Sequence, residues 1–127
     1  MNWRDLEREL IKLKDVIYEE DEGKDTRPRN IEVAIGLIPL LESNLYPRFP
    51  VPTVRTAFDG SIEFVWIKDE SLITCCIQAE IKDNEIDITK SMPNQKLIYR
   101  LLPYTPYNSI HEIYIVCVLQ CYLGDVY

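Results

Sequence analysis

The sequence predicts an α+β fold: two N-terminal helices, an antiparallel meander of four to five strands, and a C-terminal helix. Three observations predict it. Residues 50–81 alternate apolar and polar side chains about an Asp-Gly turn, as consecutive strands with one buried face do. Residues 3–20 instead repeat apolar residues every three or four positions, the period of an amphipathic helix. The segment 109–123 carries helix-start signals at one end and Gly124 at the other. A chain of 127 residues is the size of one domain and is long enough to bury a single core, so one domain spanning 1–127 is expected.

In the first helix Trp3, Leu6, Leu10, Leu13 and Ile17 share a face, while Arg4, Arg8, Lys12 and Asp15 lie opposite. Asn2 suits the N-cap and Asp5 the first turn, where the helix dipole favours negative charge. Residues 19–25 (EEDEGKD) form an acidic link in which Gly23 ends or follows the helix. Their spacing lacks the alternating oxygen ligands of a calcium loop, so no metal is expected there. Thr26, Arg27 and Pro28 open a second helix, with Ile31, Ala34, Ile35, Ile38 and Leu41 on one face. Pro39 lies inside that pattern. It removes one backbone donor and crowds the preceding turn, at about 3 kcal/mol in an ordinary helix. A kink or break near Ile38 is therefore expected, with 40–45 as a separate turn.

Pro47, Pro50 and Pro52 stiffen the approach to the first strand and belong at a strand start or a sheet edge. Asp59-Gly60 supplies the turn, since Gly takes positive φ without penalty. Ile62, Phe64 and Trp66 then share one face, and Glu63, Val65 and Ile67 the other. Residues 68–71 (KDES) read as a hairpin loop. Ile73, Cys75, Ile77, Ala79 and Ile81 line the next inward face. Further strands are expected at 85–89 and 97–102, ended by Pro103 and Pro106. In the last segment Ile113, Ile115, Val116 and Val118 suit a strand, but Ser109 with Glu112 forms a capping-box pattern, and the cap signals favour a helix. On that helix Ile110, Ile113, Cys117, Gln120 and Cys121 fall roughly together.

The residues Pro52-x-Val54, Phe58-Asp59-Gly60-x-Ile62 and Trp66 resemble a strand-turn-strand signature of small uncharacterised bacterial proteins. Those proteins similarly carry one or two N-terminal helices, a Pro-rich approach, an Asp-Gly turn and a strand ending in Trp. The resemblance covers about residues 31–80. It implies a bacterial or phage origin and assigns no chemistry.

Composition narrows the function. A net charge of −7 disfavours nucleic acid and anionic membrane surfaces, and makes a basic protein surface the natural partner. No apolar run reaches the roughly 18 residues of a spanning helix. The N-terminus lacks a secretory signal, so a cytoplasmic protein with reduced thiols is expected. Cys75, Cys76, Cys117 and Cys121 lack the spacing of a zinc site, and apolar neighbours mark them as core thiols. His111 is the one histidine, and it reads as a boundary residue rather than a base. No phosphate-binding loop is present. Glu63, Glu80, Glu85 and Asp87 alternate with apolar residues and read as the solvated face of a sheet.

These observations favour a non-catalytic protein-interaction domain, antitoxin-like or immunity-like, with no metal or cofactor and another protein as partner. The alternative is a small enzyme or ligand-binding protein using Cys, His111 and carboxylates in a cleft. Tyrosines crowd the last third, and the stiff segment 103–107 should display two of them. Tyr99, Tyr104 and Tyr107 are therefore candidates for the interaction surface. Val65 and Ile67 join them, as apolar residues on the outer sheet face through which a homodimer is also expected.

Overall fold

The computed structural model describes residues 2–14, 27–57, 59–70 and 73–127. The expectations for Asp15, Ile17, the acidic link 19–25, Thr26, Phe58 and Ser71 lie outside the described residues. Within them the architecture is the expected α+β one: helices α1 (Trp3–Lys14) and α2 (Arg27–Asn44), strands β1 (Thr53–Thr56), β2 (Ile62–Glu70), β3 (Ile73–Lys82), β4 (Glu85–Ser91) and β5 (Ile98–Pro103), and helix α3 (Ser109–Val126). The strands form one antiparallel sheet in the order β1-β2-β3-β4-β5. All helices described pack on one face of it: α2 over β2 and β3, α3 over β3, β4 and β5, and α1 against α2 and β1.

The alternation does the sorting. Ile62, Phe64 and Trp66 of β2, Ile77, Ala79 and Ile81 of β3, and Ile86 and Ile88 of β4 point under the helices and are buried. They meet Leu6 and Leu10 from α1, Ile31, Ala34, Leu37 and Leu41 from α2, and Ile115, Leu119 and Leu123 from α3 in one core. Asn2 caps α1 reciprocally with Asp5: the Asp5 amide donates to Asn2 Oδ1 at 2.9 Å, and the Asn2 amide to Asp5 Oδ2 at 3.0 Å.

Four local expectations are corrected. The helix α2 runs through Pro39 to Asn44 without a break. Pro39 sits on the exposed side, and buried Ile31, Ala34, Leu37, Ile38, Leu41 and Leu45 hold both halves against the core, which outweighs the proline penalty. Residues 68–70 belong to β2 rather than a loop: Lys68, Asp69 and Glu70 pair with Cys75, Thr74 and Ile73 of β3. The α3 cap is Asn108, one residue earlier than the capping box implies. Its Oδ1 accepts from the Ile110 and His111 amides, each at 3.1 Å. Gly124 does not stop the helix, which continues to Val126.

Two lysines account for how α3 is held. Its last turn contains no basic residue to meet the negative helix end. The sheet supplies the cations instead. Lys68 of β2 donates from Nζ to the Val126 carbonyl at 3.0 Å and lies over the Tyr127 ring. Lys90 of β4 is 8% exposed, donates to Asp125 Oδ2 at 2.6 Å and lies over Tyr122. In the same half of the helix Gln120 ties α3 to α2, accepting from the Tyr46 amide and donating to the Asn44 carbonyl.

Candidate functional site

The face of the sheet away from the helices carries no element of the described chain. Register places one row across it: Arg55 opposite Glu63, Glu63 opposite Glu80, Glu80 opposite Asp87, and Asp87 opposite Leu101. Three carboxylates thus stand side by side on adjacent strands, where directly opposed side chains have Cβ atoms about 5 Å apart. Like charges so placed oppose folding rather than help it. Only Glu63 is compensated: Arg55 Nε donates to its Oε2, and Gln78 Nε2 donates to the same oxygen at 3.3 Å. Neither Glu80 nor Asp87 has a hydrogen-bonded cation among the described residues. Asp87 Oδ1 is shielded from solvent and accepts no hydrogen bond.

The electrostatics follow. Burial raises the Glu80 carboxyl above the usual glutamate range, and the charges of Asp59, Glu63 and Asp87 raise it further against the pull of Lys82. Burial alone raises Asp87. Asp59, in the β1–β2 turn, goes the other way. Hydrogen bonds from Ser61 chiefly, helped by Lys82, bring it down to about 2. A carboxyl raised in the folded state weakens the fold once it ionises, and the penalty disappears below its ordinary value of 4.5. Glu80→Gln is therefore expected to stabilise the protein by about 0.5 kcal/mol at neutral pH, with the gain vanishing as pH falls towards 4.5. Denaturant melts of both proteins across pH check this. The Asp59 contribution has the opposite sign: it is present above 3.8 and lost as pH falls through about 2.

The expected surface residues divide. Tyr99 and Ile67 are exposed on this open face, and Tyr107 is 97% exposed at φ 66, an uncommon backbone for a residue with a side chain. Val65 and Tyr104 are corrections, since both are buried. Val65 stands on the open face, but it is a short side chain flanked by Thr53 and Gln78 on the neighbouring strands. Tyr104 continues the alternation of Arg100 and Leu102 and so turns towards the helices, its amide donating to the Asn84 carbonyl at 2.7 Å. Burial, with Glu112 and Tyr107 nearby, pushes its hydroxyl up to about 12.

Tyr104 lines a cavity of about 350 Å³ with Arg29, Val33, Gly36, Tyr107 and Glu112, between α2 and the loop before α3. No cysteine and no histidine lines it. His111 Nδ1 instead accepts from the Thr105 amide at 3.0 Å, a backbone role that fixes the loop entering α3. Cys75 is buried, burial raises the Cys76 thiol, and Cys117 and Cys121 are exposed on α3. The expected common face of α3 exists but points away from the core: Ile110, Ile113, Cys117 and Cys121 are all exposed, and only Gln120 turns to α2. Among the described residues no three His, Cys, Asp or Glu side chains converge as a metal ion requires. No helix among them is long and apolar enough to cross a membrane.

Sequence reasoning placed the acids on a solvated face. It missed that they stand in one register row, because pairing, unlike alternation, is set by loop lengths. No protein-family model, curated protein or solved structure matches the chain.

Proposed function

We propose that this chain is a non-catalytic protein-interaction domain whose open sheet face receives a basic partner, in the manner of an antitoxin or immunity protein. The observation that carries the reading is the row Glu63–Glu80–Asp87, three carboxylates opposed across adjacent strands with one guanidinium between them. The row works against the stability of the isolated chain, and a lysine or arginine laid across it would relieve the repulsion and satisfy Asp87 Oδ1. Exposed Ile67 and Tyr99 add apolar area on the same face, to one side of the row. The net charge of −7 would speed encounter with such a partner.

The test is affinity capture from the native host with the wild-type chain and with the double variant Glu80→Lys, Asp87→Lys. The reading expects one stoichiometric basic protein on the wild type, released by salt and lost from the double variant. Equal recovery by both chains, or no stoichiometric protein on either, overturns it. A second reading, a ligand-binding protein, is favoured by the cavity beside Tyr104. Its lining of Arg29, Glu112 and two tyrosines is suited to holding a small polar molecule rather than to covalent chemistry.

A further inference from the structure

The cavity beside Tyr104 is lined by groups whose bonding is incomplete. Tyr104 is 5% exposed, yet its hydroxyl makes no hydrogen bond to a described residue. Buried tyrosine hydroxyls ordinarily find a partner. Beyond burial, the groups that raise this hydroxyl are Glu112 and Tyr107, both of the same lining, which sets the oxygen beside the cavity. Glu112 lies in the first turn of α3 and is half-buried. Its carboxylate neither pairs with a cation nor accepts a hydrogen bond among the described residues. Asn108 already caps that helix end, so Glu112 is not spent there. Arg29 of α2 lines the cavity too, and its guanidinium donates to Asn84 Oδ1 at 2.7 Å, a neutral amide. Glu32, the other acid of the lining, has a partner already. One unmatched cation and one unmatched anion thus border a single cavity without meeting.

The walls are set before a ligand arrives. The Tyr104 amide donates to the Asn84 carbonyl at 2.7 Å, the Thr105 amide to His111 Nδ1 at 3.0 Å, and the Asn108 amide to the Thr105 carbonyl at 3.1 Å. Arg29 ties α2 to the same turn through Asn84. Walls so held lose little freedom on binding. A volume of about 350 Å³ lies at the small end of ligand sites. We infer that the cavity binds a small zwitterion, an amino-carboxylate such as a free amino acid, with its ammonium on Glu112 and its carboxylate on Arg29 and the Tyr104 hydroxyl. The two tyrosine rings add to the hold on the ammonium. A ligand of one sign would leave the opposite charge of the lining without a counter-ion. The assignment rests on the ligand-binding reading above and is independent of the acidic row.

Calorimetric titration of the intact chain tests it. The probes are the common L-amino acids, β-alanine and γ-aminobutyrate, each beside its N-acetyl and carboxamide counterparts. At least one amino-carboxylate should bind, and loss of either its ammonium or its carboxylate should weaken it about tenfold or more. Glu112→Gln should weaken that ligand by a similar factor while leaving its N-acetyl counterpart unchanged. Gly36 provides the blocking variant. A Cβ there meets no neighbouring group within 4 Å, and leucine suits a helix interior better than glycine, so Gly36→Leu fills the cavity, keeps the fold and should abolish binding. Amino-carboxylates bound no better than their counterparts overturn the inference. Binding that survives Gly36→Leu overturns it as well, by placing the ligand elsewhere. A singly charged counterpart that binds in their stead, and is lost in Gly36→Leu, sinks the inference and leaves the ligand-binding reading standing. Binding by none of the probes removes both.

Discussion

Replacing Asn30 by Leu is expected to lower the unfolding free energy by about 3 kcal/mol, although the residue lies in the first turns of a helix where such changes are usually mild. Asn30 is completely buried. Its Nδ2 donates to the Gly60 carbonyl at 2.8 Å, and its Oδ1 accepts from the Asp83 amide at 3.0 Å. One side chain thereby fastens α2 to two hairpin turns, β1–β2 and β3–β4. Leucine has similar volume and leaves both backbone groups without a partner, each costing about 1–3 kcal/mol. Asp83 holds φ 53, a region that costs a residue with a Cβ, and its amide bond to Asn30 helps to keep it there. Urea unfolding measures the loss. A loss below about 1 kcal/mol would show that water satisfies the two turns.

Trp66→Ala is expected to cost about 4 kcal/mol. The indole is 2% exposed at the centre of β2 and belongs to the core beneath the helices. It also donates from Nε1 to the Pro50 carbonyl at 2.8 Å, tying the approach to β1 down onto the sheet. Trp66→Phe keeps most of the apolar area and loses that bond, so it should cost nearer 1–2 kcal/mol. The gap between the two variants, read from denaturant midpoints, separates packing from the hydrogen bond. Equal losses would mean that the bond to Pro50 carries the whole effect.

The elements whose signal is local were legible in the chain. Ile62, Phe64 and Trp66 announce their face by alternation, and Asn2 and Asp5 announce a helix start by their spacing. The helical reading of α3 sets cap signals against β-branched propensity; the N-terminal signal holds, at Asn108, while Gly124 lies inside the helix. What stayed hidden depends on partners distant in sequence. Pro39 looks like a breaker until the core on both sides of it is seen. Lys68, Asp69 and Glu70 look like a loop because their polarity is visible and their strand partners are not. Residue type and neighbourhood point Tyr104 and Val65 to the surface, while a single step of alternation buries one and flanking side chains bury the other. Asn30 gave no signal, since a polar residue near a helix start is ordinarily solvated.

The nearest-neighbour order of the strands has a kinetic implication. Each hairpin closes on the residue stretch just before it, so the sheet needs only short loop closures, and these are fast. The lid over β3, β4 and β5 emerges in synthesis only after the whole sheet. A nascent chain therefore completes its meander while Ile86 and Ile88 still lack their roof, and for that interval the half-built molecule presents a sticky plane that a chaperone would recognise.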